Sequence, residues 1–215
     1  MDTTVWWKPL ENVAAALGAW WWHLQELDND DEEGEDEDDD DKPPKPIPPV
    51  TPGVYDTLAD AFAEHLGVVE YNGIVATIQI WYYGSVVKAS WCATSVSYFS
   101  NQLGILAQIG GKNENVNRMR LACLKVNPDR CVTDRSILKS SFAIMRGDIL
   151  FWLWEGTTMS DGSNKHVGVA NEESVNSRTV ACIGGNQSDM IKVAIYDRKS
   201  LYMVFRPDYR VASQE

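Results

Sequence analysis

Cys92 stands behind Trp91 at the head of the stretch "WCATSVSYFSNQLG", where a thiol meets the start of an expected helix. A free thiol has a pKa of about 8.5, and a helix N-terminus or a neighbouring imidazolium lowers it, so the position suits a nucleophile. Such a nucleophile needs a base, and the chain has three histidines. His23 belongs to a Trp-rich segment far from the rest. His65 falls in the last turn of an expected helix, where an imidazolium suits the helix dipole. His166 remains; it opens the strand-like run "KHVGVAN" after the Gly/Ser/Asp-rich stretch "GTTMSDGSN". A third polar group must hold the imidazole in the correct tautomer. Asn186, in "CIGGNQSD", comes within reach if the next strand is an antiparallel neighbour. The chemistry of such a set is covalent attack on an acyl group.

Other residues surround these three in the sequence. Gly184 and Gly185 permit close approach of backbone or substrate, or a tight turn. Asp189 reads as a second carboxylate near the site or as a surface acid. Trp91, Tyr82 and Tyr83 suit the lining of a substrate groove and equally the core. The backbone N–H of Cys92 is the expected oxyanion donor, because it points out of the helix start.

The elements that must position these residues are written in two patterns. "YDTLADAFAEHLG" places Leu58, Phe62 and Leu66 on one helix face with Gly67 at its stop. "NGIVATIQIWYYG" reads as a second helix ending at Gly84, although its β-branched residues also allow a strand. "WCATSVSYFSNQLG" is the third, and "ENVNRMRLACLKV", stopped by Pro128, is the fourth. Beyond Pro128 come "DILFWLW", "KHVGVAN", "TVACIGG", "MIKVAIY" and "LYMVFRP", short β-branched and aromatic runs separated by turn residues. Helices first and strands after predict an α+β domain with an antiparallel sheet.

Charge divides the 215 residues. Residues 1–41 hold 15 acids and one base, Lys8, whereas residues 42–215 hold 18 bases and 16 acids, so the net charge of −12 belongs to one tract. Residues 1–27 contain five of the nine tryptophans and, from about Leu10, an apolar helical face that includes Val13, Leu17, Trp21 and Leu24. Residues 28–53 form a linker, first "DNDDEEGEDEDDDD", a self-repelling like-charge block, then "KPPKPIPPVTP", which favours extended geometry. Residues 54–210 form the globular domain. The apolar face is expected either to dock on the chain's own body or to serve as an anchor through residues 6–27, to a protein partner or to another copy of the chain. The apolar run Val13–Leu24 is too short to span a bilayer, and no signal peptide is visible. No basic stripe for nucleic acid appears. No CxxC or Cys/His spacing for zinc occurs among the four cysteines, so no metal and no cofactor is expected. Cys123 and Cys131 pair only if the fold brings them together.

The set "WCATSVSYFSNQLGI", "GDILFW", "KHVGVA" and "IGGNQSDMIKVAIYDRKSLYMVFRP" resembles the CHAP and NlpC/P60-like cysteine peptidoglycan hydrolases, above all the small endolysin-type proteins of phages and prophages. The resemblance covers residues 55–207 and leaves the first 50 unexplained. It implies a papain-like α+β fold, in which a helix-start cysteine, a strand-opening histidine and a polar residue on the next strand do the catalysis. Those roles fall on Cys92, His166 and Asn186. It further implies bacterial peptidoglycan as substrate and hydrolysis of an amide bond, as an N-acetylmuramoyl-L-alanine amidase or an endopeptidase. The protein would then reside in the host cytoplasm or the virion. The acidic calcium-binding loop of some CHAP domains is not visible. The alternatives are a cysteine protease or deamidase with a protein substrate, and a non-catalytic assembly protein that works through its Trp-rich helix.

Overall fold

The computed structural model describes residues 55–133, 135–139, 141–154, 165–175 and 177–210. The Trp-rich segment 1–27, the linker 28–53 and the stretch "GTTMSDGSN" lie outside the described residues. Four helices come first: α1 (Leu58–Ala63), α2 (Gly73–Tyr83), α3 (Cys92–Gln102) and α4 (Val116–Val126). The strands follow: β1 (Cys131–Val132), β2 (Ile149–Leu153), β3 (Lys165–Ala170), β4 (Thr179–Gly184), β5 (Lys192–Asp197) and β6 (Leu201–Phe205). They form one sheet in the order β1-β6-β2-β3-β4-β5, with every pairing antiparallel. The α+β class with an antiparallel sheet is therefore observed. No helix among the described residues is long and apolar enough to cross a membrane.

The caps follow the chemistry of their residues. Thr57 and Asp60 exchange hydrogen bonds at the start of α1 in a capping box. Asn115 accepts from the N–H groups of Asn117 and Arg118 at the start of α4. Gly84 ends α2 in the left-handed region at φ 80°. The first helix is shorter than its spacing predicts. It stops at Ala63, and Leu66 is half exposed. The Gly67 N–H instead donates to Ile191 O at 2.8 Å, and Val69 bridges to Met190, so the chain leaves the helix to join the β4–β5 turn. His65 consequently does not cap a last turn. Its ring stacks on Phe99 at 5.6 Å, and burial pushes its pKa down, away from the imidazolium.

Both faces of the sheet are covered, which explains why "ILFWL" is apolar without alternation. Ile149, Phe151, Val167, Val169, Ile183, Met203 and Phe205 face the helices and pack with Phe62, Val96 and Phe99. Leu150, Trp152, Ala170, Cys182 and Val204 face the other way and are covered by Ile137 and Ile144 from the segment before β2. All residues of α3 from Cys92 to Ser100 are buried, so this is the central helix.

Arg198 secures the cover on the second face. It is 2% exposed, and its guanidinium donates to Ile137 O, Lys139 O, Phe142 O, Ser174 O and Ser174 Oγ at 2.8–3.4 Å. Four carbonyls from two segments thus converge on one planar donor, a geometry that lysine cannot reproduce. Arg198→Met would strand those carbonyls, at a cost of about 3 kcal/mol. Urea unfolding should show that loss, and Arg198→Lys should recover less than half of it.

Candidate active site

Cys92 is the first residue of α3, and Trp91 is its N-cap. The Trp91 side chain is wholly buried and lies against Gly185, where a Cβ would come 2.3 Å from Trp91 Cζ3 and 2.6 Å from Ser95 Oγ. Only glycine fits there, and the contact brings the head of α3 against the end of β4. On the far side of the contact the chain turns through Asn186, at φ 59°. The turn places Asn186 two residues beyond β4, in a loop and not on the expected strand.

His166 is the second residue of β3 and pairs with Trp152 of β2. The β3–β4 register, Val169 opposite Ile183 and Ala170 opposite Cys182, carried to the start of β3, brings His166 level with Asn186. Cys92, His166 and Asn186 line one pocket of about 400 Å³. Trp154, Lys165, Gln187, Lys192 and Tyr196 also line it. All but Tyr196 lie at the same end of the sheet, and Tyr196 reaches the pocket from further along β5, where it pairs with Val180. The three residues singled out from sequence are thus brought together. No hydrogen bond links Cys92 to His166 in this form, and His166 Nε2 is buried without a partner among the described residues.

The electrostatics differ from the expectation for an activated thiol. The N–H groups of Val167, Ala93 and Cys92 itself favour the thiolate, as a helix start should. Burial outweighs them and pushes the Cys92 thiol up. Burial also pushes His166 down to about 4. At neutral pH the resting pair is therefore a thiol and a neutral imidazole. A neutral imidazole is a competent general base, so a nucleophilic role for Cys92 would require the thiolate to arise as the proton moves and not beforehand.

The residues expected to bind substrate are placed differently. Trp91 belongs to the core, because it is fully buried, and Gly185 is the slot that receives it. Tyr82 bonds Glu114, and Tyr83 packs edge-on against Tyr82 at 4.7 Å. Neither is among the residues that line the Cys92 pocket. Asp189 lines an adjoining depression with Glu70 and Lys88, which shares Ser90 and Asn186 with that pocket. Gln187, Trp154 and Tyr196 were missed. Tyr196 could have been found from the two-residue period that puts Lys192, Ala194 and Tyr196 on one face of β5.

Among the described residues, no group of three His, Cys, Asp or Glu side chains has the arrangement to hold a metal ion. Comparison with protein-family models, with curated proteins and with solved structures finds no match.

The depressed pKa of His166 makes the fold acid-sensitive. Its folded value, about 4, lies below the ordinary 6.5, so the unfolded chain takes up the proton first. The stability due to its burial is complete above pH 6.5 and is lost as pH falls through 4, to a total of about 3 kcal/mol. Urea titrations at pH 7 and pH 4 should show His166→Gln losing about 3 kcal/mol less than the unaltered chain.

Proposed function

We propose that this chain is a cysteine amide hydrolase acting on bacterial peptidoglycan, with Cys92 as nucleophile and His166 as general base and acid. One observation carries the reading: a cysteine on the first turn of a buried helix shares a pocket with a histidine at the start of a neighbouring strand. The order of these parts, on an α+β scaffold with an antiparallel sheet, supports a papain-like arrangement. The substrate class rests on the resemblance of residues 55–207 to CHAP and NlpC/P60-like hydrolases. The finer placement, a phage or prophage lysis or wall-penetration enzyme, rests on the same resemblance.

The reaction proceeds in two halves. Cys92 Sγ attacks the amide carbonyl carbon as its proton passes to His166, and the new S–C bond gives a tetrahedral oxyanion. The Cys92 backbone N–H, which the first residue of a helix leaves without an intrahelical partner, donates to that oxyanion in this reading. Collapse breaks the C–N bond, and His166 gives its proton to the leaving amine. Water then loses a proton to His166 and attacks the thioester; the S–C bond breaks, and the proton returns to sulfur. Asn186 lines the same pocket, and the resemblance gives it the role of orienting the imidazole. The Cys92–His166 hydrogen bond needed for the first transfer is of the kind that commonly tightens only in the complex with substrate.

The test is mass spectrometry of purified peptidoglycan digested by the full chain, which names the bond cut. Cys92→Ala should release no fragments while keeping its unfolding midpoint. His166→Ala should lower the rate by about a thousandfold or more, since members of a catalytic unit fail together. Asn186→Ala should cost less, and His65→Ala should stay within about twofold, because His65 is not among the residues that line the pocket. Wall lysis by a folded Cys92→Ala protein would sink the thiol mechanism.

A further inference from the structure

The surroundings of His166 carry a positioning role outside the Cys–His–Asn set. The imidazole lies over two glycines. A Cβ at Gly168 would stand 3.3 Å from His166 Nε2, and one at Gly184 would stand 3.4 Å from it. The same Gly184 position is 3.4 Å from Gln187 Nε2, so the Gln187 amide and the imidazole both border that glycine. Gln187 is 4% exposed and fully committed. Its Nε2 donates to the carbonyls of Lys192, Gly184 and Cys182 at 2.8, 3.2 and 3.4 Å, and its Oε1 accepts from the Tyr196 hydroxyl at 2.8 Å. Carbonyls on one side and a hydroxyl donor on the other leave the amide one workable orientation. The Tyr196 ring stands 6.0 Å from the imidazole at 64° and is backed by Trp152 and Trp154 at 5.1 and 5.6 Å. Asn186 has no hydrogen bond to the imidazole among the described residues.

We propose that Gln187 and Tyr196 are the positioning residues for His166: the Gln187 amide, locked on three carbonyls, fixes the Tyr196 ring as the wall that sets the imidazole in the pocket. The proposal rests on His166 as the base of the reaction above, but the wall exists whatever the substrate. Beside His166, the titratable groups are Cys92, Lys165, Lys192 and Tyr196 in the pocket, with Cys182 beneath Gly168; no described carboxylate lines it. Loosening the wall admits water to the imidazole, and hydration favours its charged form.

NMR titration of His166 in the full chain tests this directly. The unaltered protein should titrate far below the ordinary histidine range. Gln187→Met and Tyr196→Ala should raise the midpoint by about one unit or more, and Tyr196→Phe, which keeps the ring but frees it from Gln187, by about half a unit. Asn186→Ala should leave it within about 0.3 units. Amide spectra and unfolding midpoints confirm that each variant is folded, and Tyr196→Phe decides the matter if Tyr196→Ala is not. On the wall substrate, Gln187→Met should lower kcat about tenfold or more with KM within about twofold, the pattern of a lost transition-state geometry. A larger shift from Asn186→Ala than from Gln187→Met and Tyr196→Phe, or no shift from any variant, overturns the proposal. If peptidoglycan is never cut, the hydrolase reading fails, and the titration still decides the positioning.

Discussion

The contact between Trp91 and Gly185 fixes the geometry on which the rest of the site depends. The indole lies where any side chain at position 185 would be: a Cβ there would stand 2.3 Å from it, against a normal carbon–carbon approach of about 3.5–4.0 Å. Cys92 follows Trp91, and Asn186 follows Gly185. One steric lock between α3 and the end of β4 therefore brings two pocket residues from distant parts of the chain to the same place. A substitution at Gly185 would drive the helix start away from the sheet, and the thiol would move with it. The buried polar face of α3 supports the lock: Ser95 Oγ donates to Cys92 O at 2.8 Å, and Ser97 Oγ exchanges hydrogen bonds with the Asn113 backbone at 2.9 and 3.0 Å.

The same close packing sets the protonation states. Thiol and imidazole are each at least nine-tenths buried, and burial penalises the charged form of both. The result is a neutral pair and not a standing thiolate–imidazolium. Three N–H groups around the sulfur remain available to a thiolate once it forms. In the proposed reaction that support would act in the step in which charge develops, which is where support accelerates a reaction.

Much of this was legible in the residues. The strand runs stood out as β-branched and aromatic stretches between turn residues, and burial of both faces of the sheet makes β2 apolar throughout. Helices α2 to α4 were marked by Gly84, by the cysteine at the head of α3 and by Pro128. Cys92 and His166 could be named because so few alternatives exist among three histidines. What was hidden depends on distant contacts. Leu66 has helical spacing, yet a backbone hydrogen bond to Ile191 ends α1 before it. Trp91 is core and not groove because of a glycine 94 positions away. Helix-start chemistry argued for a lowered thiol pKa, but the desolvation that raises it comes from sheet and helix packing together. The period of β5 places Tyr196 on a face, but nothing in the spacing shows its bond to Gln187, which links the β4–β5 turn to the far part of the sheet's edge strand.

The central claim is that Cys92 carries the acyl group. Acid-quenched samples of the full chain digesting peptidoglycan, analysed by peptide mass spectrometry, test it most directly. A muropeptide-derived acyl adduct on the peptide that contains Cys92, and on no peptide containing Cys123, Cys131 or Cys182, is the predicted result. Wall cleavage without an adduct at Cys92 during turnover, or with the adduct on another residue, would contradict the account.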